Sequence, residues 1–89
     1  MEKKKLRIVL ADDHRVLRTG LKLLLSSQSD FCVVGEASDG RELLQLLSAA
    51  SADVVLLDLS MPGMSGMACL QEIRRQKLPL RVLVLTMHS

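Results

Sequence analysis

The chain has 89 residues, a formal net charge of +2, 48% hydrophobic residues and one aromatic, Phe31. That length suits one small domain. The charge is too small to argue for nucleic acid, and one aromatic cannot build a base-stacking platform.

The chain starts basic, with Lys3, Lys4, Lys5 and Arg7 around an apolar run, Leu6–Ala11. Asp12-Asp13 cuts that run too early for an export signal, and no stretch is long enough to cross a membrane. Leu6–Ala11 is β-branched and apolar and reads as the first strand. From about His14 to Ser27 the period becomes helical. Leu17, Leu21, Leu24 and Leu25 form an apolar face, with Arg15, Arg18 and Lys22 off it. Asp13 is the expected cap of this helix.

Phe31–Ala37 reads as the second strand. Asp39-Gly40-Arg41-Glu42 has capping-box spacing, with Asp39 as cap and Glu42 reaching back. Leu43, Leu46, Leu47 and Ala50 then mark one side of a second helix. Val54–Leu57 runs into Asp58 and a Met61-Pro62-Gly63 turn, as a strand buried on both faces would. Ser65 is placed to cap a third helix, whose buried stripe reads as Met67, Leu70 and Ile73 and which Leu78-Pro79 stops. Arg81–Thr86 is the fourth strand. Met61, Met64 and Met67 read as packing around the turn. Cys32 and Cys69 lack any metal-ligand spacing and read as free, buried thiols of a reducing cytoplasm.

Single strands alternating with single helices make a parallel sheet with helices on both faces. Its strands all finish at one rim, where open α/β sheets bind ligands. The first strand delivers Asp12 and Asp13 there, the third Asp58 and the fourth Thr86. If the first and third strands are neighbours, three carboxylates share one cleft. Such a group must hold a proton or bind a cation, and hard oxygen ligands suit Mg²⁺. Asp58 is then a carboxylate nucleophile towards phosphorus, with Thr86 offering its hydroxyl to the phosphoryl oxygens. His14 and His88 flank the rim without ligand spacing to another histidine and read as surface residues. A haloacid-dehalogenase-type phosphatase needs an Asp-x-Asp pair. Here the acids are adjacent, and Asp58-Leu59-Ser60 does not supply one.

Leu6–Ala11 with Asp12-Asp13, Val54–Asp58 with Met61-Pro62-Gly63, and Val82–Leu85 with Thr86 together resemble the receiver domain of a two-component response regulator. The segments DLSMPGMSG and LVLTMH further resemble receivers that precede a LuxR/NarL-type helix-turn-helix. The resemblance implies a flavodoxin-like (CheY-like) α/β fold with strand order 2-1-3-4-5. It implies phosphoryl transfer to Asp58 from a sensor histidine kinase. Asp13, Asp58 and the Ser60 backbone carbonyl would ligate Mg²⁺, with Asp12 acting through water in the acidic pocket. Thr86 would be the switch hydroxyl, with the Met87 backbone N–H near the phosphate. Receivers continue through a fourth helix, a fifth strand carrying a lysine, and a fifth helix. Residues 1–89 therefore read as the N-terminal part of a receiver, incomplete as βαβαβαβ, with DNA contact left to a domain this chain does not contain. Lys77 ends the third helix and does not stand in for that lysine. The unpaired edge of Val82–Leu85 suggests self-association or exchange of elements.

Overall fold

Two apolar stretches, Leu6–Ala11 and Val54–Asp58, run through the middle of the molecule because both faces of each are covered. In the computed structural model, which describes residues 5–49, 51–61 and 64–85, they are β1 and β3. The other elements are α1 (Arg15–Ser26), β2 (Phe31–Ala37), α2 (Gly40–Ala49), α3 (Gly66–Arg75) and β4 (Arg81–Leu85). The four strands form one sheet in the order β2-β1-β3-β4. All pairings are parallel. The βαβ units and their order agree with the expected α/β class.

Alternation along β1 and β3 divides the core in two. Ile8, Leu10 and Val54 face α1, meeting Leu21, Leu25, Phe31 and Val33. Val9, Ala11, Val55 and Leu57 face α2 and α3, meeting Leu43, Leu47, Cys69 and Ile73. The β1–β2 register shifts between Ile8 and Val9, so Val34 is an extra residue in β2.

Two helix faces differ in detail from the expectation. No residue of α1 is fully buried, and Leu24 is 65% exposed. Leu17, Leu21 and Leu25 are half-buried on the expected face, and Arg18 takes the place of Leu24 beside them. Arg18 is drawn inward by Glu36 on β2 and by the Asp12 carbonyl. In α3 the buried stripe is Gly66, Cys69 and Ile73, while Met67 is exposed. Gly66 faces inward because α3 starts against the chain just after Asp58, where only a glycine fits. In α2, Leu43 and Leu47 are buried and Leu46 half-buried as expected, while Ala50 lies outside the described residues.

The caps explain where the helices start and stop. Asp39 Oδ1 accepts from the Glu42 N–H at 2.8 Å. Glu42 reaches back to the Ser38 N–H at 2.9 Å, one residue earlier than the standard box. Ser65 Oγ accepts from the Ala68 N–H. At the other end of α3, Lys77 adopts φ 53°, its N–H bonds the Arg74 carbonyl, and the Leu78 N–H bonds the Ile73 carbonyl. That is a Schellman close with lysine where glycine is usual. The stop thus comes before Leu78-Pro79. Both cysteines are free; Cys69 is buried as expected, but Cys32 is only half-buried, on outer strand β2.

Candidate functional site

Asp12 directly follows β1, and Asp58 is the last residue of β3, one residue longer than the expected strand. Ala11 lies opposite Leu57, so the two acids leave neighbouring strands side by side. The Asp12 backbone is fixed from two sides. Its N–H donates to the Ala37 carbonyl at 3.0 Å, and its own carbonyl accepts from Arg18 Nη1 at 2.6 Å. Arg18 Nε also bonds Glu36 Oε1, and Lys22 Nζ lies 3.1 Å from Glu36 Oε2. Lys22 first, with Arg18 adding to it, holds the Glu36 carboxyl below its usual range. Lying off the apolar face, these two cations tie α1 to β2 and brace the acidic rim.

Asp12 and Asp58 are only 2% and 1% exposed. Each has one oxygen engaged and one free. Asp58 Oδ1 accepts from the Ser60 N–H at 2.9 Å and the Ser60 hydroxyl at 2.8 Å. Asp12 Oδ1 accepts from the His14 N–H at 2.7 Å. Asp12 Oδ2 and Asp58 Oδ2 are buried and have no hydrogen-bond partner. Burying carboxylate oxygens without partners is costly unless a cation satisfies them. The carboxylate oxygens of Asp12, Asp13 and Asp58 are hard donors and fit a divalent cation that keeps several waters.

Asp13 does not cap α1. The N-cap position is His14, which makes no side-chain cap bond. Asp12 takes the His14 N–H, which leaves Asp13 to turn its carboxylate to the cluster. His14 was read as an ordinary surface residue, and its ring is indeed 55% exposed. Yet His14 Nδ1 lies 3.0 Å from Asp12 Oδ1, 3.2 Å from Asp13 Oδ1 and 3.8 Å from Asp58 Oδ2. The hydrogen bond to Asp12, then the charge of Asp13, pushes the imidazole above its usual value. One donor atom from each of Asp12, Asp13, His14 and Asp58 lies within 4.8 Å of the others. The sequence signal was the unbroken run Asp12-Asp13-His14 at a strand end; its partner, Asp58, arrives from another strand.

Of the remaining expected site residues, Ser60 donates its N–H and its hydroxyl to Asp58 Oδ1. Thr86, Met87 and His88 lie outside the described residues, as do Pro62 and Gly63 of the turn. Met61 is buried and Met64 half-buried, as expected of packing around that turn. Lys77 closes α3 beside the start of β4, at the far end of the strands from Asp58.

Residues 8–89 match the response regulator receiver domain. The chain belongs to that family. Within it, the chain is 45% identical over 82 residues to the nitrate/nitrite response regulator protein NarL of Escherichia coli, covering 92% of this chain and 38% of that protein. It is 43% identical to the solved receiver domain of NarL from Mycobacterium tuberculosis, with a TM-score of 0.90, covering 97% of this chain and 69% of that one. The RcsB–DNA complex matches at 32% identity and a TM-score of 0.89, over 97% of this chain and 46% of RcsB. The chain thus spans well under half the length of the curated relatives it matches. It is a NarL-type receiver, and Asp12, Asp13 and Asp58 form the acidic cluster typical of the receiver Mg²⁺ site. Among the described residues no helix is long and apolar enough to cross a membrane.

Proposed function

We propose that this chain is the phosphoryl-accepting part of a two-component response regulator, with Asp58 as acceptor. The observation that carries this is the split of the Asp58 carboxylate. Oδ1 is held by both donors of Ser60, and Oδ2 is left without a hydrogen-bond partner beside Asp12 and Asp13. A nucleophile needs one anchored atom and one available lone pair. The Asp58 Oδ2–P bond forms as the P–N bond of a phosphohistidine on a sensor kinase breaks, and the electron pair returns to the imidazole nitrogen. Asp13, Asp58 and the Ser60 carbonyl would hold Mg²⁺, with Asp12 acting through water. When bound, Mg²⁺ neutralises charge on the transferring group. Thr86 and the Met87 N–H would meet the phosphoryl oxygens. The product is a phosphoprotein signal, not a released product of turnover, and membership of the response regulator receiver family supports a cytoplasmic place for the chain. RcsB is seen bound to DNA. By analogy the output here is transcriptional, through a separate DNA-binding domain. Residues 1–89 would be the N-terminal part of the receiver.

Incubation with acetyl phosphate and Mg²⁺, followed by intact mass measurement, tests the reading. One phosphoryl group should add, and Asp58→Asn should take up none. Uptake by Asp58→Asn equal to the parent would sink it.

A second reading rests on β4. Among the described residues β4 pairs only with β3, and its Leu83 and Val84 are exposed. Such an edge supports pairing with a second copy of the chain. Light scattering across a concentration series should then show dimers, and a monomer throughout would dismiss this reading.

A further inference from the structure

We infer that His14 is a nitrogen ligand of the acidic rim, making the site responsive to borderline divalent transition metals as well as to Mg²⁺. The inference rests on the metal-binding pocket proposed above and adds to it a donor that carboxylate chemistry does not supply. Around an octahedral cation with bonds of about 2.1 Å, adjacent ligand atoms stand roughly 3.0 Å apart and opposite ones roughly 4.2 Å apart. His14 Nδ1 lies 3.0 Å from Asp12 Oδ1 and 3.2 Å from Asp13 Oδ1, which are adjacent-ligand separations. Its 3.8 Å to Asp58 Oδ2 falls between the two. The three separations from His14 are thus those of one coordination shell, within a cluster whose four donor atoms lie within 4.8 Å of one another.

Two further observations point to a ligand. Asp12 Oδ2 and Asp58 Oδ2 are buried and unpartnered at the base of the cluster. His14 itself is anchored, since its N–H donates to Asp12 Oδ1 and its carbonyl accepts from the Arg18 N–H at 2.9 Å. The backbone bonds fix where the side chain starts, the ring's own 3.0 Å contact with Asp12 Oδ1 sets it over the carboxylates, and its exposed edge leaves room for water. Imidazole nitrogen binds Co²⁺ and Zn²⁺ far better than it binds Mg²⁺. Removing it should therefore cost the two classes of metal unequally.

The test uses the chain as it is, at mildly alkaline pH, with Co²⁺ and Mg²⁺ as separate probes. Addition of Co²⁺ should produce hyperfine-shifted His14 ring protons in the NMR spectrum. By calorimetry, His14→Ala and His14→Phe should each weaken Co²⁺ about tenfold or more and change Mg²⁺ by less than about threefold. Unshifted ring protons with both metals bound overturn the inference and leave the Mg²⁺ pocket standing. Tighter Mg²⁺ binding in His14→Ala overturns it too, since the ring would then be a competitor and not a ligand. No binding of either metal to the parent chain removes the inference and the proposed pocket together.

Discussion

Gly66 stands against Leu59 with no room for a side chain. A Cβ on Gly66 would lie 2.6 Å from the Leu59 Cα and 2.7 Å from the Asp58 carbonyl oxygen. The start of α3 therefore fixes the chain just after Asp58. Gly66→Ala must displace backbone and should cost about 1–3 kcal/mol. Gly35→Ala makes an equally short contact, 2.6 Å, but with Cδ2 of the half-buried Leu46 side chain, which can turn away. It should cost less than about 1 kcal/mol. Urea unfolding of the two variants compares them, and equal losses would count against a fixed Asp58–Leu59 turn.

Arg18 is bonded to both Glu36 and the Asp12 carbonyl. Arg18→Ala should lose about 1–2 kcal/mol, and Arg18→Lys should recover only part of it, because an ammonium lacks the planar fork that serves both acceptors. Glu36 adds a pH dependence. Its folded value lies below 4.5, so its contribution is full above about 4.5 and is lost as pH falls through the depressed value. The gap between parent and Glu36→Gln should close on acidification, as followed by melting temperature from neutral to acid pH. A gap that widened there would contradict the ion pairs seen on β2.

The two ends of α3 give opposite predictions. Ser65→Ala removes the acceptor of the Ala68 N–H and should cost about 1 kcal/mol. Lys77 occupies the left-handed region at φ 53°, where a Cβ is unfavourable. Lys77→Gly should therefore stabilise by about 0.5–1 kcal/mol, the relief being partly offset by glycine's greater freedom when unfolded. Chemical denaturation should show the signs diverging.

Cys69 is fully buried, its thiol donates to the Gly40 carbonyl at 3.5 Å, and burial pushes its pKa up to about 11. Iodoacetamide should label half-buried Cys32 and spare Cys69 in the folded chain, as read by peptide mass mapping. The unfolded thiol titrates near 9.0 and the folded one near 11, so the Cys69 contribution is full below about 9 and lost as pH rises through about 11. Alkaline destabilisation should be weaker in Cys69→Ala than in the parent.

Much of this was legible because apolar runs ending in acids identify buried strands and their rim. Pattern alone identifies Leu6–Ala11 and Val54–Asp58 as strands; that they are neighbours is implied by the family resemblance and seen in the β1–β3 pairing. The caps at Asp39 and Ser65 followed from short-range chemistry. Helix faces were less legible: periodicity defines an apolar arc, but its rotation depends on what lies opposite. Leu24 lost its place to Arg18 because Glu36 draws the guanidinium in from another strand. Met67 lost its place because Gly66 must meet the Leu59 backbone. His14 was missed because a histidine partner was sought, when its partners are carboxylates, two adjacent and one brought by folding.

The absence of any fully buried residue in α1 has a dynamic consequence. Its layer rests on half-covered leucines and two ion pairs, whereas α2 and α3 enclose Leu43, Leu47, Cys69 and Ile73. Amide protons of α1 should exchange with deuterium well before those of α2. Opening of that layer would release the Asp12 carbonyl from Arg18, so the slow breathing of one helix and the set of the acidic rim depend on the same contact.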